Sequence, residues 1–261
     1  MMDEEETDAV REYVRNGGTL YASKYTSLIT KEGERFKDFR LADVFGVSYV
    51  GETKEQYTYI APTDDAKQLF SGYSPQYPLG VDAAQLKVKA HAGSRVLGTL
   101  TLPYTDPADM DRFASIHSNP PGIATDHPAV VMNQFGKGKA IYVAGELENS
   151  DLYLDTVAGL IGMLSGEFCF EVQAPSSVEV TLFDQEEKNR YLINLVSFQK
   201  ELPNIAVEGI TVKVKTEGKK VARLISLPDE TNLDYASKNG WTSFAVPRLE
   251  NFLMLAMDFA G

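Results

Sequence analysis

Cysteine, tryptophan and histidine are scarce in this 261-residue sequence, which has one Cys, one Trp and three His. A single cysteine excludes an intrachain disulfide framework and any metal site built from several cysteines. The histidines show no spacing typical of a metal centre, so the sequence predicts neither a metal nor a cofactor. The one alternative left open is a loop site that combines His117 and His127 with Asp126.

Basic residues are also few, with 25 Lys and Arg against 37 Asp and Glu and a formal net charge of -12. That balance argues against a nucleic-acid partner and against an anionic membrane surface. No apolar run approaches the ~20 residues of a spanning helix. The opening MMDEEETDAV lacks the basic and apolar regions of a signal peptide. We therefore expect a cytoplasmic protein.

Residues 10–51 predict a helix, a glycine stop, a strand, a crossover, a second helix and a second strand. Val10, Tyr13 and Val14 recur at helical spacing, with Thr7 or Asp8 as the expected cap. The strands are expected at residues 19–22 and 47–50, both within a single sheet. This stretch indicates one winding of an α/β fold.

Further along, residues 129–135 and 139–144 predict two strands joined in a hairpin by Gly136-Lys137-Gly138. An apolar helix capped by Asn149 or Ser150 follows. Residues 103–128 form the longest stretch without a regular pattern. Such a long loop is typical of functional or mobile segments.

The pattern changes near residue 167, after which apolar and polar residues alternate and turn residues separate short segments. The sequence thus predicts two domains, an α/β domain over residues 1–166 and an all-β sandwich over residues 167–261.

Three stretches together resemble a group of glycoside hydrolases. They are YVRNGGTLYASKYTSLITKEGERFKDFRLADVFGVSY (13–49), HPAVVMNQFGKGKAIYVAGELENSD (127–151), and the tail from SSVEVTLFDQEEKNRYLINLVSF (176–198) to FAVPRLENFLMLAMDF (244–259). They are similar to the β-galactosidase trimerisation (middle) domain, which is related to class I glutamine amidotransferases, followed by a C-terminal β-domain. The resemblance implies a flavodoxin-like, amidotransferase-like fold that begins after that family's first strand and helix.

The resemblance also implies that the catalytic carboxylates sit on a TIM barrel, for which this chain has no room. A Cys-His-Glu triad of the amidotransferase type is not expected either. The lone Cys169 has an aromatic, glycine-free context and is predicted to be a buried structural thiol. No histidine stands beside Glu146 and Glu148, where the family's His-x-Glu pair would fall. We therefore predict no catalytic residue.

Carbohydrate binding is the remaining chemistry, because sugars stack on aromatic rings and hydrogen-bond to nearby polar groups. Lys24 and Tyr25 follow the first predicted strand, Tyr104 lies in a predicted loop, and Glu146 ends a late strand. In the resembled family this domain can wall the active site of a neighbouring subunit. Packing of each aromatic ring under its own loop is the structural alternative.

We interpret the chain as a non-catalytic assembly and accessory region of a β-galactosidase-like glycoside hydrolase. Its expected partners are copies of itself, with a trimer implied by the resemblance, carbohydrate, and a TIM-barrel domain if the chain belongs to a longer protein. The alternatives are a free-standing carbohydrate-binding module and a hydrolase or amidotransferase-like enzyme with an unrecognised site.

Overall fold

The computed structural model describes residues 2–106, 109–115 and 118–261, so the prediction that involves His117 lies outside the described residues. The chain forms two compact units, Met1–Gly166 and Glu167–Gly261. Within the described ranges, no helix is long and apolar enough to cross a membrane.

Among its described residues, the first unit contains three α-helices and eight strands. In chain order these are α1 Glu4–Arg15, β1 Thr19–Ser23, α2 Ala42–Phe45, β2 Val47–Glu52, β3 Thr58–Pro62, β4 Leu79–Val81, β5 Leu86–Ala90, β6 Arg95–Pro103, β7 Pro121–Phe135, β8 Gly138–Val143 and α3 Leu154–Leu164. Single 3₁₀ turns at Asp64–Ala66, Leu147–Asn149 and Asp151–Tyr153 complete the unit.

Six of these strands form one mixed sheet in the order β1-β8-β7-β6-β3-β4. Only β1 and β8 are parallel neighbours in it, and every other pairing is antiparallel. The predicted winding is therefore wrong in its second half, because β2 pairs with β5 in a separate two-stranded sheet. Burial along β2 falls away after Val47, as expected for a strand covered on one side.

Two apolar layers cover the six-stranded sheet, and alternate residues of β8 belong to each. Ile141 and Val143 pack in one core with Leu160 and Leu164 of α3. Ala140 and Tyr142 pack in the other core, which contains residues of α1, α2, β2 and β5. Strand β8 is buried on both faces, so the first unit has three layers.

Helix α1 begins earlier than its predicted caps, Thr7 and Asp8. Asp3 is the cap, since its carboxylate accepts a hydrogen bond from the Glu6 N–H at 2.8 Å and the Glu6 carboxylate accepts one from the Asp3 N–H at 2.9 Å. Because of this Asp-x-x-Glu capping box, the helix begins at Glu4. The acidic residues Glu4, Glu5 and Glu6 therefore lie in its first turn, at the positive end of the helix dipole. On the predicted apolar face, Val14 is buried but Tyr13 is exposed.

The predicted hairpin is confirmed, with β7 and β8 antiparallel on either side of the turn. Its first strand is longer than expected, however. β7 already starts at Pro121 and pairs with β6 through several register shifts, so much of the predicted irregular stretch is strand. Bulges obscure the period-two pattern by which a strand is recognised in sequence. Before α3, the Ser150 side chain caps the 3₁₀ turn by accepting a hydrogen bond from the Leu152 N–H.

The second unit is all-β apart from a 3₁₀ turn at Glu186–Lys188. Its strands are β9 Phe170–Gln173, β10 Val178–Gln185, β11 Arg190–Ser197, β12 Thr211–Lys215, β13 Val221–Leu227, β14 Thr231–Asn232, β15 Ala236–Lys238, β16 Trp241–Ala245 and β17 Phe252–Phe259.

These strands form two sheets, β10-β11-β17-β13-β14 and β15-β16-β12-β9. The predicted β-sandwich is confirmed, since side chains of both sheets share one apolar core. Strand β17 lies between β11 and β13 in the middle of its sheet, and it pairs with each along most of its length.

Replacing Gly138 with Ala tests the close approach of helix α1 to the start of β8. A Cβ at Gly138 would overlap the carbonyl oxygens of Gly18 and Val14, which cannot move without shifting backbone. We expect Gly138→Ala to lower the free energy of unfolding by about 1–3 kcal/mol. Gly51→Ala is the matched control, because a Cβ there meets no atom within 4 Å. Urea unfolding followed by circular dichroism measures both, and equal stabilities would contradict this packing.

Candidate functional site

The parallel pairing of β1 and β8 brings two chain segments to one edge of the six-stranded sheet. Ser23, the last residue of β1, pairs with Val143, the last residue of β8. The residues that follow each strand must therefore emerge side by side. Ligand sites of α/β sheets commonly lie at such carboxyl-terminal edges.

Lys24 is the first residue beyond β1, and its backbone is in the left-handed region with φ +43°. Its N–H donates to the Val143 carbonyl at 2.9 Å, and its carbonyl accepts from the buried Tyr142 hydroxyl at 2.8 Å. These bonds hold a conformation that costs a non-glycine residue free energy. The Lys24 ammonium lies 3.4 Å from a carboxylate oxygen of Glu146, beyond β8.

Glu148 connects the same two segments from the β8 side. The Tyr21 hydroxyl donates to one of its carboxylate oxygens at 2.9 Å, and the Ser23 hydroxyl donates to the other. Tyr21 and Ser23 are two residues apart in β1 and thus share one face of the strand. Burial, and then the charge and hydrogen bond of Glu148, raise the pKa of Tyr21 well above its usual value.

Tyr25 forms the next part of the cluster, and its hydroxyl donates to the Glu52 carboxylate at the end of β2. Burial, reinforced by the hydrogen bond to Glu52, raises the pKa of Tyr25 to about 12. The guanidinium of Arg35 lies 5.1 Å from the Tyr25 ring centroid, and the Lys24 ammonium lies 5.4 Å from it. The ring therefore packs against two cations.

Arg35 reaches the cluster from the crossover that follows β1. An isolated bridge between Ile29 and Arg35 folds this crossover back on itself. The guanidinium then donates to the Tyr49 hydroxyl at 3.0 Å and lies 3.7 Å from Glu52. We call Tyr21, Ser23, Lys24, Tyr25, Arg35, Glu52, Glu146 and Glu148 the edge cluster.

The structure brings together three of the four residues predicted to bind carbohydrate, Lys24, Tyr25 and Glu146. Tyr104 has a different neighbour, since the Arg112 guanidinium donates to the Tyr104 carbonyl at 2.9 and 3.1 Å and lies over its ring. Among the described residues, no hydrogen bond or ion pair joins Tyr104 to the edge cluster.

Sequence reasoning missed Tyr21, Ser23, Arg35 and Glu52. Tyr21 lies in the predicted strand 19–22 and Ser23 lies one residue beyond it, so their two-residue spacing becomes a usable signal only once β1 extends to Ser23 beside β8. Nothing in the sequence pattern placed Arg35 or Glu52, because each depends on where a long crossover and a second sheet pack.

Cys169 corrects a further prediction. Its side chain is exposed just before β9, whereas the sequence predicted a buried thiol. Its carbonyl accepts a hydrogen bond from the Lys215 N–H at 2.8 Å, so the backbone rather than the side chain ties this residue to the sheet. The aromatic flanks misled the prediction, since Phe168 is itself exposed.

The edge cluster combines three carboxylates, two cationic side chains and three hydroxyl groups. The His127 ring lies 3.3 Å from the Val88 carbonyl, and no hydrogen bond or ion pair between described residues joins it to the edge cluster. Within the described ranges, no group of three or more His, Cys, Asp or Glu side chains is arranged to hold a metal ion. The side chains of the edge cluster can donate hydrogen bonds to a polyhydroxylated ligand and accept hydrogen bonds from it.

Comparison with known proteins gives the fold of the whole chain. No protein-family model and no curated protein sequence matches it. Among solved structures it is similar to the α-L-fucosidase isoenzyme 2 from Paenibacillus thiaminolyticus, with TM-score 0.76 and 20% identity over 100% of this chain. It is also similar to a catalytic mutant of Gan42B, a GH42 β-galactosidase from G. stearothermophilus, with TM-score 0.60 and 18% identity over 98% of this chain.

A third similar structure is the β-galactosidase from Bacillus circulans sp. alkalophilus, with TM-score 0.60 and 14% identity over 98% of this chain. The chain spans 40% of the fucosidase and about 30% of the two β-galactosidases. At these identities the likeness concerns the fold. The chain thus has the architecture of one part of larger glycoside hydrolase chains.

Replacing Glu52 with Gln tests the electrostatics of the edge cluster. The carboxylate stabilises the neutral phenol of Tyr25, so its loss should lower the Tyr25 pKa from about 12 towards the usual 10.0. Because the pKa of Tyr25 is raised in the folded protein, the contribution of the neutral Tyr25 phenol to the free energy of unfolding is complete below pH 10. This contribution disappears as the pH rises through 12.

NMR of chains labelled at the tyrosine Cζ measures this pKa, with Tyr25→Phe identifying the signal. Glu32→Gln, at an exposed residue, is the matched control and should leave the pKa unchanged. An identical Tyr25 pKa in the Glu52→Gln variant would show that the carboxylate does not act on the phenol.

Proposed function

We propose that this chain is a non-catalytic accessory and assembly region of a carbohydrate-active glycoside hydrolase. The observation that carries the proposal is the similarity in fold along the entire chain to only 40% of a fucosidase and about 30% of two β-galactosidases. An enzyme of that kind requires catalytic carboxylates on a further domain. In this proposal, a TIM barrel supplies them.

The edge cluster is the part of this region that we assign to carbohydrate. Its support is geometric, since Lys24 has a strained backbone at a sheet edge and its ammonium faces Glu146 at 3.4 Å. Strained residues of this kind are concentrated at functional sites. The Tyr25 ring has no free face on which a sugar could stack, because Lys24 and Arg35 lie over it. Hydrogen bonds to sugar hydroxyls are therefore the interaction we expect.

We further infer that the first unit is a reduced amidotransferase-like fold. The parallel β1–β8 pair with α1 and α3 on opposite faces supports this relation. The antiparallel strands β3, β4, β6 and β7 then replace the remaining parallel strands of that fold.

Self-association is the second element of the proposal, with a trimer as the expected state. Helix α3 supports it, because Leu154 is 50% exposed and Ile161 is 39% exposed. These residues are seven apart and lie on one face of the helix. Leu152, in the preceding turn, is 80% exposed. An apolar surface of this kind is typical of an interface, and we assign a second copy of this chain to it.

Activity of the chain alone tests the non-catalytic assignment. We expect no hydrolysis of nitrophenyl α-L-fucoside or β-D-galactoside above the rate in buffer, and no change on Glu146→Gln. Steady-state release of nitrophenol measures both. Turnover that copurifies with the chain and is abolished by Glu146→Gln would overturn the assignment.

Ile161→Asp tests the proposed interface on α3. A charge in an apolar contact is desolvated without a partner, so we expect the variant to shift from oligomer to monomer. Sedimentation velocity measures the change. Val50→Asp, at a residue 56% exposed on β2, is the matched control and should keep the oligomer. A wild-type monomer at high concentration, or an Ile161→Asp oligomer, would contradict the interface.

A further inference from the structure

The outer face of the four-stranded sheet in the second unit carries a groove that the proposed function does not use. Along β16, Thr242 and Phe244 are buried in the sandwich, while Trp241 and Ser243 alternate with them and point outward. Trp241 is the only tryptophan of the chain. The Trp241 side chain is partly buried and lines this groove, where an aromatic ring can stack on a ligand.

The groove has a volume of about 600 Å³, within the range of small-molecule sites. It is lined by Glu167, Phe168, Glu171, Lys213, Ala236, Lys238, Asn239, Trp241 and Ser243. Phe168 is 55% exposed, so a second aromatic ring lies in the lining. Aromatic rings together with amide, hydroxyl and ammonium groups are the combination that recognises sugars.

The tight turn Asn239-Gly240 between β15 and β16 separates this groove from a second cavity. Both residues have positive φ, +53° and +78°, as an Asn-Gly hairpin turn requires. The second cavity has a volume of about 370 Å³ and is lined by Thr216, Gly218, Lys219, Lys220, Ser237, Lys238, Asn239, Gly240 and Trp241. Since Lys238, Asn239 and Trp241 line both, the two cavities form one extended surface.

The charges of this surface indicate the sign of the ligand. The acids of the groove are already paired, Glu171 with Lys213 at 3.2 Å and Glu167 with Lys215 at 2.6 Å. Lys219 is paired with Asp184 at 3.1 Å. Lys238 and Lys220 form no ion pair with any described residue of residues 167–261, so the surface has two unpaired ammonium groups, while Lys215 is shared by Glu167 and Glu217 at 2.6 and 3.5 Å. A ligand with negative charge complements them.

We propose that this surface binds an oligosaccharide that contains a uronic acid. A pyranose ring stacks on Trp241, its hydroxyls bond to Asn239 and Ser243, and a sugar carboxylate contacts Lys238 or Lys220. The site lies entirely in the second unit, independently of the edge cluster. The proposal therefore stands or falls separately from the proposed function.

Tryptophan fluorescence of the full chain tests the proposal directly, because the only tryptophan lines the groove. Titration with trigalacturonate should give a saturable change in emission. Binding should weaken at least threefold when NaCl is raised from about 20 mM to about 0.5 M, because surface charges are screened. Galactotriose, its neutral counterpart, should bind at least threefold more weakly at low salt.

Variants then assign the groups. By calorimetry, Trp241→Ala should weaken trigalacturonate binding about tenfold, and Trp241→Phe should retain most of it. Lys238→Gln should weaken binding about threefold. Lys188→Gln, at an exposed lysine outside both cavities, is the matched control. Circular dichroism verifies that each variant is folded.

Chemical-shift mapping on the wild-type chain keeps the test independent of any variant's stability, and should place the largest shifts at Lys213, Trp241 and Ser243. The proposal is overturned by the absence of a saturable emission change, by shifts elsewhere, or by folded Trp241→Ala with unchanged affinity. Equal affinity for galactotriose would overturn the assignment of an acidic ligand.

Discussion

The parallel pairing of β1 with β8 is the constraint on which the first unit depends. It joins Thr19 to Lys139 and runs to Ser23 and Val143, so segments far apart in the chain end at the same edge. Both apolar layers meet on β8, since its alternate residues enter the two cores. The edge cluster is a consequence of this pairing, because Lys24 and Glu146 are the first polar side chains beyond the two strands.

The two units contrast in how they display polar groups. In the edge cluster each of the three carboxylates, Glu52, Glu146 and Glu148, has a hydrogen-bond donor or a cation beside it. A ligand would therefore have to replace existing hydrogen bonds rather than add new ones. On the outer sheet face of the second unit, the rings of Phe168 and Trp241 line the groove. Lys238 and Lys220 form no ion pair there with any residue of residues 167–261. A ligand on this second surface would break fewer existing hydrogen bonds, but it would have to displace the water that hydrates the two ammonium groups.

Sequence patterns predicted much of the second unit because longer strands such as β11 and β12 alternate between buried and more exposed side chains, whereas the short β14 and β15 are exposed throughout. Val178, Val180 and Leu182 alternate with polar residues and pack on the sandwich core. The first unit was harder to predict from the sequence, since its strands are short or bulged. Its second strand, β2, also pairs with β5 outside the six-stranded sheet. Lys24, Tyr25 and Glu146 could be placed from strand ends alone. Arg35 and Glu52 could not, because tertiary packing rather than local periodicity sets their positions.

Strand β17 has a consequence for biosynthesis. It is the last strand of the second unit and yet separates β11 from β13, so those two strands cannot be joined in one sheet until Phe252–Phe259 has left the ribosomal exit tunnel. The nascent second unit would meanwhile present two unpaired strand edges to solvent, which is the condition under which aggregation competes with folding. Synthesis and insertion of β17 thereby become the step that closes this sheet.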